Sequence, residues 1–163
     1  MEFRPNATTN LLVSKTLVAD NGSVGIFVVP TGSGTVTAVF NRVEVTHNGN
    51  IDILVDGEVS TGTINATASD SVAARNNGGF YVLSAAGQAQ TTFSLFHSVA
   101  ADNLNGIVAQ TTNAGLRIAQ SMVTGNSGAG WLALSGGVIA TYQDSYINGN
   151  GPNTGSLTPI VRQ

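Results

Sequence analysis

The stretch Ser121-Met-Val-Thr-Gly-Asn-Ser-Gly-Ala-Gly130 decides the fold, because its plan recurs along the chain. Ser71-Val-Ala-Ala-Arg-Asn76, Ser98-Val-Ala-Ala-Asp-Asn103 and Ser145-Tyr-Ile-Asn-Gly-Asn150 repeat it. Each has a small hydroxyl residue, an apolar pair, an Asn five places on, and glycine soon after. Thr16-Leu-Val-Ala-Asp-Asn21 follows the same plan, and Arg42-Val-Glu-Val-Thr-His47 follows it with His in the Asn slot. The slots 21, 47, 76, 103, 126 and 150 lie 26, 29, 27, 23 and 24 residues apart. A nearly fixed period in that range marks a repeat architecture.

Leucine-rich repeats and parallel β-helix rungs share this period, but the first needs a regular leucine pattern that is absent. The second needs short β-rich runs, turns built on Asn and Gly, and small changes in loop length, and all three are present. The expected fold is therefore all-β: a right-handed parallel β-helix of six rungs over residues 11–153, the hand following the general rule for parallel crossovers. Residues 1–10 read as an N-terminal arm or cloning scar and 154–163 as a C-terminal tail over the last rung. Asn suits each turn because it tolerates left-handed backbone angles and bonds locally. Rungs stacked about 4.8 Å apart would let successive Asn side chains form a ladder.

Composition sets outer bounds. A chain of 163 residues is one domain by length, and 42% apolar with 9% charged residues excludes charge-driven disorder. Net charge is −3 with a single lysine, Lys15, so no basic stripe exists to neutralise nucleic acid phosphates. Cysteine is absent, which removes disulfides and thiolate metal sites. No apolar run reaches membrane-spanning length, and Met1-Glu-Phe-Arg-Pro5 lacks the hydrophobic core of a leader peptide. Nothing in the pattern calls for a cofactor.

The rung pattern also predicts what faces inward. Leu17, Val43, Val72, Val99, Met122 and Tyr146 form an all-apolar column after the Ser slot. After the Asn turn, Ile26, Ile51, Phe80, Ile107 and Trp131 form a second, and Val28, Ile53, Val82, Ala109 and Ala133 a third. The outward side of that strand, Phe27, Asp52, Tyr81, Val108 and Leu132 flanked by Val29, Leu54, Leu83, Gln110 and Leu134, is apolar too. A strand apolar on both sides is normally covered on both, so this face is expected to pack against another copy, giving a homo-oligomer. Its single charge, Asp52, is out of place there.

The Ser…Asn-Gly units SVAARNNGG, SVAADNLNG and SMVTGNSGAG resemble the right-handed parallel β-helix proteins of the broad pectate-lyase-like group over nearly the whole chain. The resemblance implies a secreted or cell-surface setting and a polysaccharide partner. It says little about activity, because that architecture carries lyases, hydrolases, epimerases and non-enzymatic modules. Such enzymes need clustered carboxylates, and charge here is sparse. The slot before Ser holds Lys15, Asn41, Asp70, His97, Gln120 and Asp144, so Asp70 and His97 become neighbours on adjacent rungs, the one pair suited to general acid–base work. Arg75 and Asp102 read as a surface ion pair, and Asp56 and Glu58 as solvated loop carboxylates rather than, with Asp52, a cation site. His47 reads as a turn residue bonding as Asn does, not as a metal ligand. The leading expectation is a non-catalytic self-associating module. The alternatives are a polysaccharide-binding module stacking sugars on Phe27 and Tyr81, or a polysaccharide lyase or hydrolase using Asp70 and His97.

Overall fold

A computed structural model describes residues 1–161 of the chain. Among them every regular element is a β-strand and every strand pairing is parallel. Face A stacks Glu2–Phe3, Ile26–Val28, Ile51–Asp56, Gly78–Leu83, Asn105–Gln110 and Ala129–Leu134 in that order. The other strands form one eleven-stranded sheet that folds at a corner. On one side of the corner lies face B: the first halves of Thr9–Ala19 and Thr35–Thr46, then Thr63–Ser69, Gln90–Phe96, Ala114–Ala119, Val138–Thr141 and Leu157–Pro159. On the other lies face C: the second halves of the two long strands, then Val72–Ala74, Val99–Ala101, Met122–Thr124 and Tyr146–Asn148. The chain is a parallel β-helix. At its ends, Phe3 pairs with Val28 and the tail residue Leu157 pairs with Ile139, so both termini continue the stacking.

Two corners are made by residues in the left-handed region, which lets a strand turn without a loop. Lys15, Arg42, Asp70, His97 and Gln120 take φ of 45–54° between faces B and C. Asp20, His47, Arg75, Asp102, Gly125 and Gly149 take 52–67° between faces C and A. The expected slots shift by one on the second rung: His47 is the left-handed residue, and Asn48 is the ladder residue that follows it. Likewise Arg42, not Asn41, precedes the position level with Ser71, because the backbone N–H of Val43 donates to Ser71 Oγ.

The Asn ladder is built from main chain to side chain. Backbone N–H groups of Asn21, Asn76, Asn103 and Asn126 donate to the Oδ1 of Asn48, Asn103, Asn126 and Asn150 one rung on. The Nδ2 groups of Asn103, Asn126 and Asn150 donate backwards to the carbonyls of Ala73, Ala100 and Val123. Sequence reasoning missed a second ladder at the other corner. Ser71, Ser98, Ser121 and Ser145 accept through Oγ from the N–H groups of Val43, Ser71, Ser98 and Ser121. Ser71, Ser98 and Ser121 are buried, and their hydroxyls donate to the carbonyls of Ser69, Phe96 and Ala119.

This serine ladder overturns the first inward column. If the Ser position points in, the next residue must point out, since successive strand side chains alternate. Leu17, Met122 and Tyr146 are accordingly exposed and Val72 and Val99 half-buried, while Val45, Ala73, Ala100 and Val123 fill the core. Val43, level with the serines, is buried. The second and third columns hold once Ile53 replaces Ile51 and Val55 replaces Ile53. Ile26, Ile53, Phe80 and Ile107 are fully buried with Trp131 partly buried at the end of the column, and Phe80 and Phe40 meet Phe93 edge-on at 5.7 and 6.2 Å. Each such side chain contributes about 1.5–3 kcal/mol by leaving water.

Candidate functional site

The outer side of face A carries Phe27, Leu54, Tyr81, Val108 and Leu132 in register, rung above rung. Leu54, not Asp52, belongs to this column, so the charge that seemed out of place is not on the surface at all. Val108 is fully buried between Tyr81 and Leu132, and Leu54 is nearly so between Phe27 and Tyr81. Leu83 and Leu134 flank the column half-buried and Val29 lies buried. The Tyr81 hydroxyl donates to Gln110 Oε1, and burial, followed by the nearby Glu58 charge, pushes its pKa above the usual tyrosine value. Phe27 and Tyr81 are both half-buried, so neither ring stands clear of the sheet.

Asp52 precedes Ile53, and its counterparts on the other rungs are Gly25, Gly79, Gly106 and Gly130. A Cβ at those glycines would lie 2.8–2.9 Å from the Nδ2 of Asn48, Asn103, Asn126 or Asn150. The carboxyl of Asp52 therefore enters the space beside the Asn ladder, where its Oδ1 accepts from Asn48 Nδ2 and Asn76 Nδ2. Its exposure is 0%, and burial pushes its pKa up to about 8 against the opposing pull of the Asn48 and Asn76 hydrogen bonds. Asp52 Oδ2 and Asn76 Oδ1 are left without hydrogen-bond partners.

Asp70 and His97 are brought together as the register predicts, with Nδ1 3.7 Å from Oδ1 and both side chains about half exposed, 49% and 51%. That distance is an ion-pair contact and too long for a hydrogen bond. The pair sits on the ridge between faces B and C, and the His97 ring stacks on Phe96 with centroids 4.1 Å apart. A notch of about 400 Å³ beside it is lined by Phe96, Ala119, Gln120, Tyr142 and Asp144. At the opposite corner a shallow groove of about 690 Å³ runs over His47, Arg75, Asp102 and Leu104. Arg75 and Asp102 share that groove, but the ion pairs closer than 4.0 Å among the described residues are Arg4–Glu2 and His97–Asp70.

Asp56 Oδ1 accepts from the Glu58 N–H at 2.8 Å, capping its own loop, while Asp52 faces the opposite side of the sheet. No group of three metal-ligating side chains occurs among the described residues. No helix among them is long and apolar enough to cross a membrane. No family model matches the chain, and neither the curated proteins nor the solved structures hold a match to it.

Proposed function

We propose that the chain is a non-catalytic β-helix module, a scaffold that binds a second copy of itself through face A. The observation that carries this reading is the apolar column Phe27, Leu54, Tyr81, Val108 and Leu132, continuous over five rungs and flanked by Val29, Leu83 and Leu134. A parallel sheet with apolar residues on both sides is ordinarily covered on both. A two-fold contact sets one such column against its own copy, so a single surface supplies both halves of the interface. A polysaccharide-cleaving role fits less well, because Asp70 and His97 stand half exposed on an open ridge, and among the described residues no third charged group forms an ion pair with them. Sedimentation of the protein from low to high micromolar concentration tests the proposal. Reversible dimerisation that Leu132→Lys weakens at least tenfold is the expected result, and a Leu132→Lys variant that dimerises unchanged overturns it.

A further inference from the structure

We propose that face C is a second self-recognition surface, on which another copy of the chain seats antiparallel about a two-fold axis lying along the strands. Face C presents an apolar stripe, Leu17, Val72, Val99, Met122 and Tyr146, in vertical register and interrupted only by Glu44. Leu17, Met122 and Tyr146 are 65%, 43% and 71% exposed, far more open than the column on face A. Left-handed corner residues form a rail on each side of the stripe, with ionisable side chains at Lys15, Arg42, Asp70 and His97 on one side and at Asp20, His47, Arg75 and Asp102 on the other, and none at Gln120, Gly125 and Gly149.

What selects a second copy as the occupant is the order of charges along those rails. Antiparallel docking sets the first rung against the sixth, the second against the fifth and the third against the fourth. Asp70 then meets His97 and Arg75 meets Asp102, each pair formed twice by symmetry. No like charges are opposed. In the stripe Leu17 meets Tyr146 and Val72 meets Val99, while Glu44 lies over Met122. Parallel docking would instead press Glu44 against its own copy at the centre, which electrostatics disfavours. Five steps of about 4.8 Å by one short strand make a small footprint, below the roughly 800 Å² per partner of a stable complex, so this contact is weak and salt-sensitive. It lies on a different face from the contact proposed above and does not depend on it. With both in use, copies add alternately instead of closing into one pair.

The chain has no cysteine, so introduced thiols report the docking directly. Leu17→Cys combined with Tyr146→Cys is expected to give a disulfide-linked dimer under mild oxidation, and either substitution alone is expected to give none. Cross-linking by the single variants, or none by the pair, overturns the proposal. A charge exchange supplies a second reading. Arg75→Asp is expected to cut that cross-linking about tenfold, and adding Asp102→Arg to restore it to within about threefold, because the exchange recreates both opposed pairs. Parallel docking would set the exchanged charges against Asp70 and His97, so an exchange that deepens the loss also overturns it. Leu132→Lys leaves this cross-link unchanged, which separates failure on face A from failure on face C.

Discussion

Asn76 donates its Nδ2 to Oδ1 of Asp52, a carboxyl with 0% exposure that occupies the place held by glycine on four other rungs. The ladder bond joining these two rungs would run from the Asn48 N–H to Asn76 Oδ1, and it is the link missing from an otherwise continuous series. Asn76 Oδ1 is instead buried without a partner. One side chain has thus replaced an amide link with an acid, and the two orphaned acceptors, Asp52 Oδ2 and Asn76 Oδ1, are what that replacement leaves behind.

The folded chain holds Asp52 as the neutral acid, with its pKa raised to about 8 by burial. A proton on Oδ2 supplies a donor where two buried acceptors otherwise lack one. Between the unfolded carboxylate pKa near 4 and the folded value, the native state binds more protons than the unfolded chain, so stability falls as pH rises. The slope approaches about 1.4 kcal/mol per pH unit and flattens once the folded pKa is passed. Denaturant titrations at pH 4, 6 and 8 are expected to show this decline. Asp52→Gly removes it and frees Asn76 Oδ1 for the Asn48 N–H, so the variant is expected to be more stable than the parent at pH 8 by about 1–3 kcal/mol, and the order is expected to reverse towards pH 4, where the parent has regained roughly 4–5 kcal/mol. A parent as stable at pH 8 as at pH 4 would mean that the carboxyl ionises at no cost.

The interior of the ladder is expected to matter more than its end. Asn103, 1% exposed, accepts from the Asn76 N–H and donates to the Ala73 carbonyl, and Asn103→Ala removes both bonds. The Asn76 N–H left unpaired and the second bond lost together cost about 2–4 kcal/mol, which lowers the melting temperature of a domain this size by roughly 5–15 °C. Asn21 lies at the exposed end, where water replaces its bonds, so Asn21→Ala is expected to cost under about 1 kcal/mol. Thermal melts of the two variants showing equal losses would remove the ladder as a distinct source of stability.

Where the ladder link is kept, the glycine beside it is a steric requirement. A Cβ on Gly106 would sit 2.7 Å from Val123 Cγ1 and 2.8 Å from both Asn126 Nδ2 and the Gly130 carbonyl oxygen. The last is backbone of the next rung and moves only if the strands part, so Gly106→Ala is expected to destabilise by about 1–3 kcal/mol. Gly115→Ala is the control, because its Cβ would meet nothing nearer than the Thr91 carbonyl oxygen at 3.9 Å. Equal melting temperatures for the two variants would contradict the packing described for the ladder corner.

The architecture was legible because the turn chemistry repeats in the sequence: Asn recurs at the corner between faces C and A, directly after the left-handed residue, on one rung after another. What misled was a single slot. Reading His47 as the ladder residue aligned Ile51 with Ile26 and put Asp52 on the surface, whereas Asn48 sets Ile53 five places on, as Asn21 sets Ile26. Side-chain direction on face C failed for another reason. An apolar column beside a polar one suggests apolar inward, but the serines are inside because their hydroxyls pair with backbone from rung to rung. The repeated serine carried that signal in plain view, and hydrophobicity outweighed it. That Asp70 and His97 are neighbours on adjacent rungs was legible, since vertical register alone brings the two together, but hydrogen-bond reach was expected and the separation is 3.7 Å.

That approach carries a last expectation. Asp70 and His97 are each about half exposed at 3.7 Å, so solvent screens the pair and it adds at most about 0.5 kcal/mol. His97 also stacks on Phe96, which fixes its ring without any help from the carboxylate. Asp70→Asn is therefore expected to leave the melting temperature within about 2 °C of the parent at pH 6 and at pH 8. The same variant tests for chemistry: cleavage of a polysaccharide by the parent that Asp70→Asn abolishes, with the fold intact, would make the ridge an active site and the module an enzyme. No such loss is expected, because a carboxylate and an imidazole on an open ridge have nothing to exclude water or to hold a sugar ring between them.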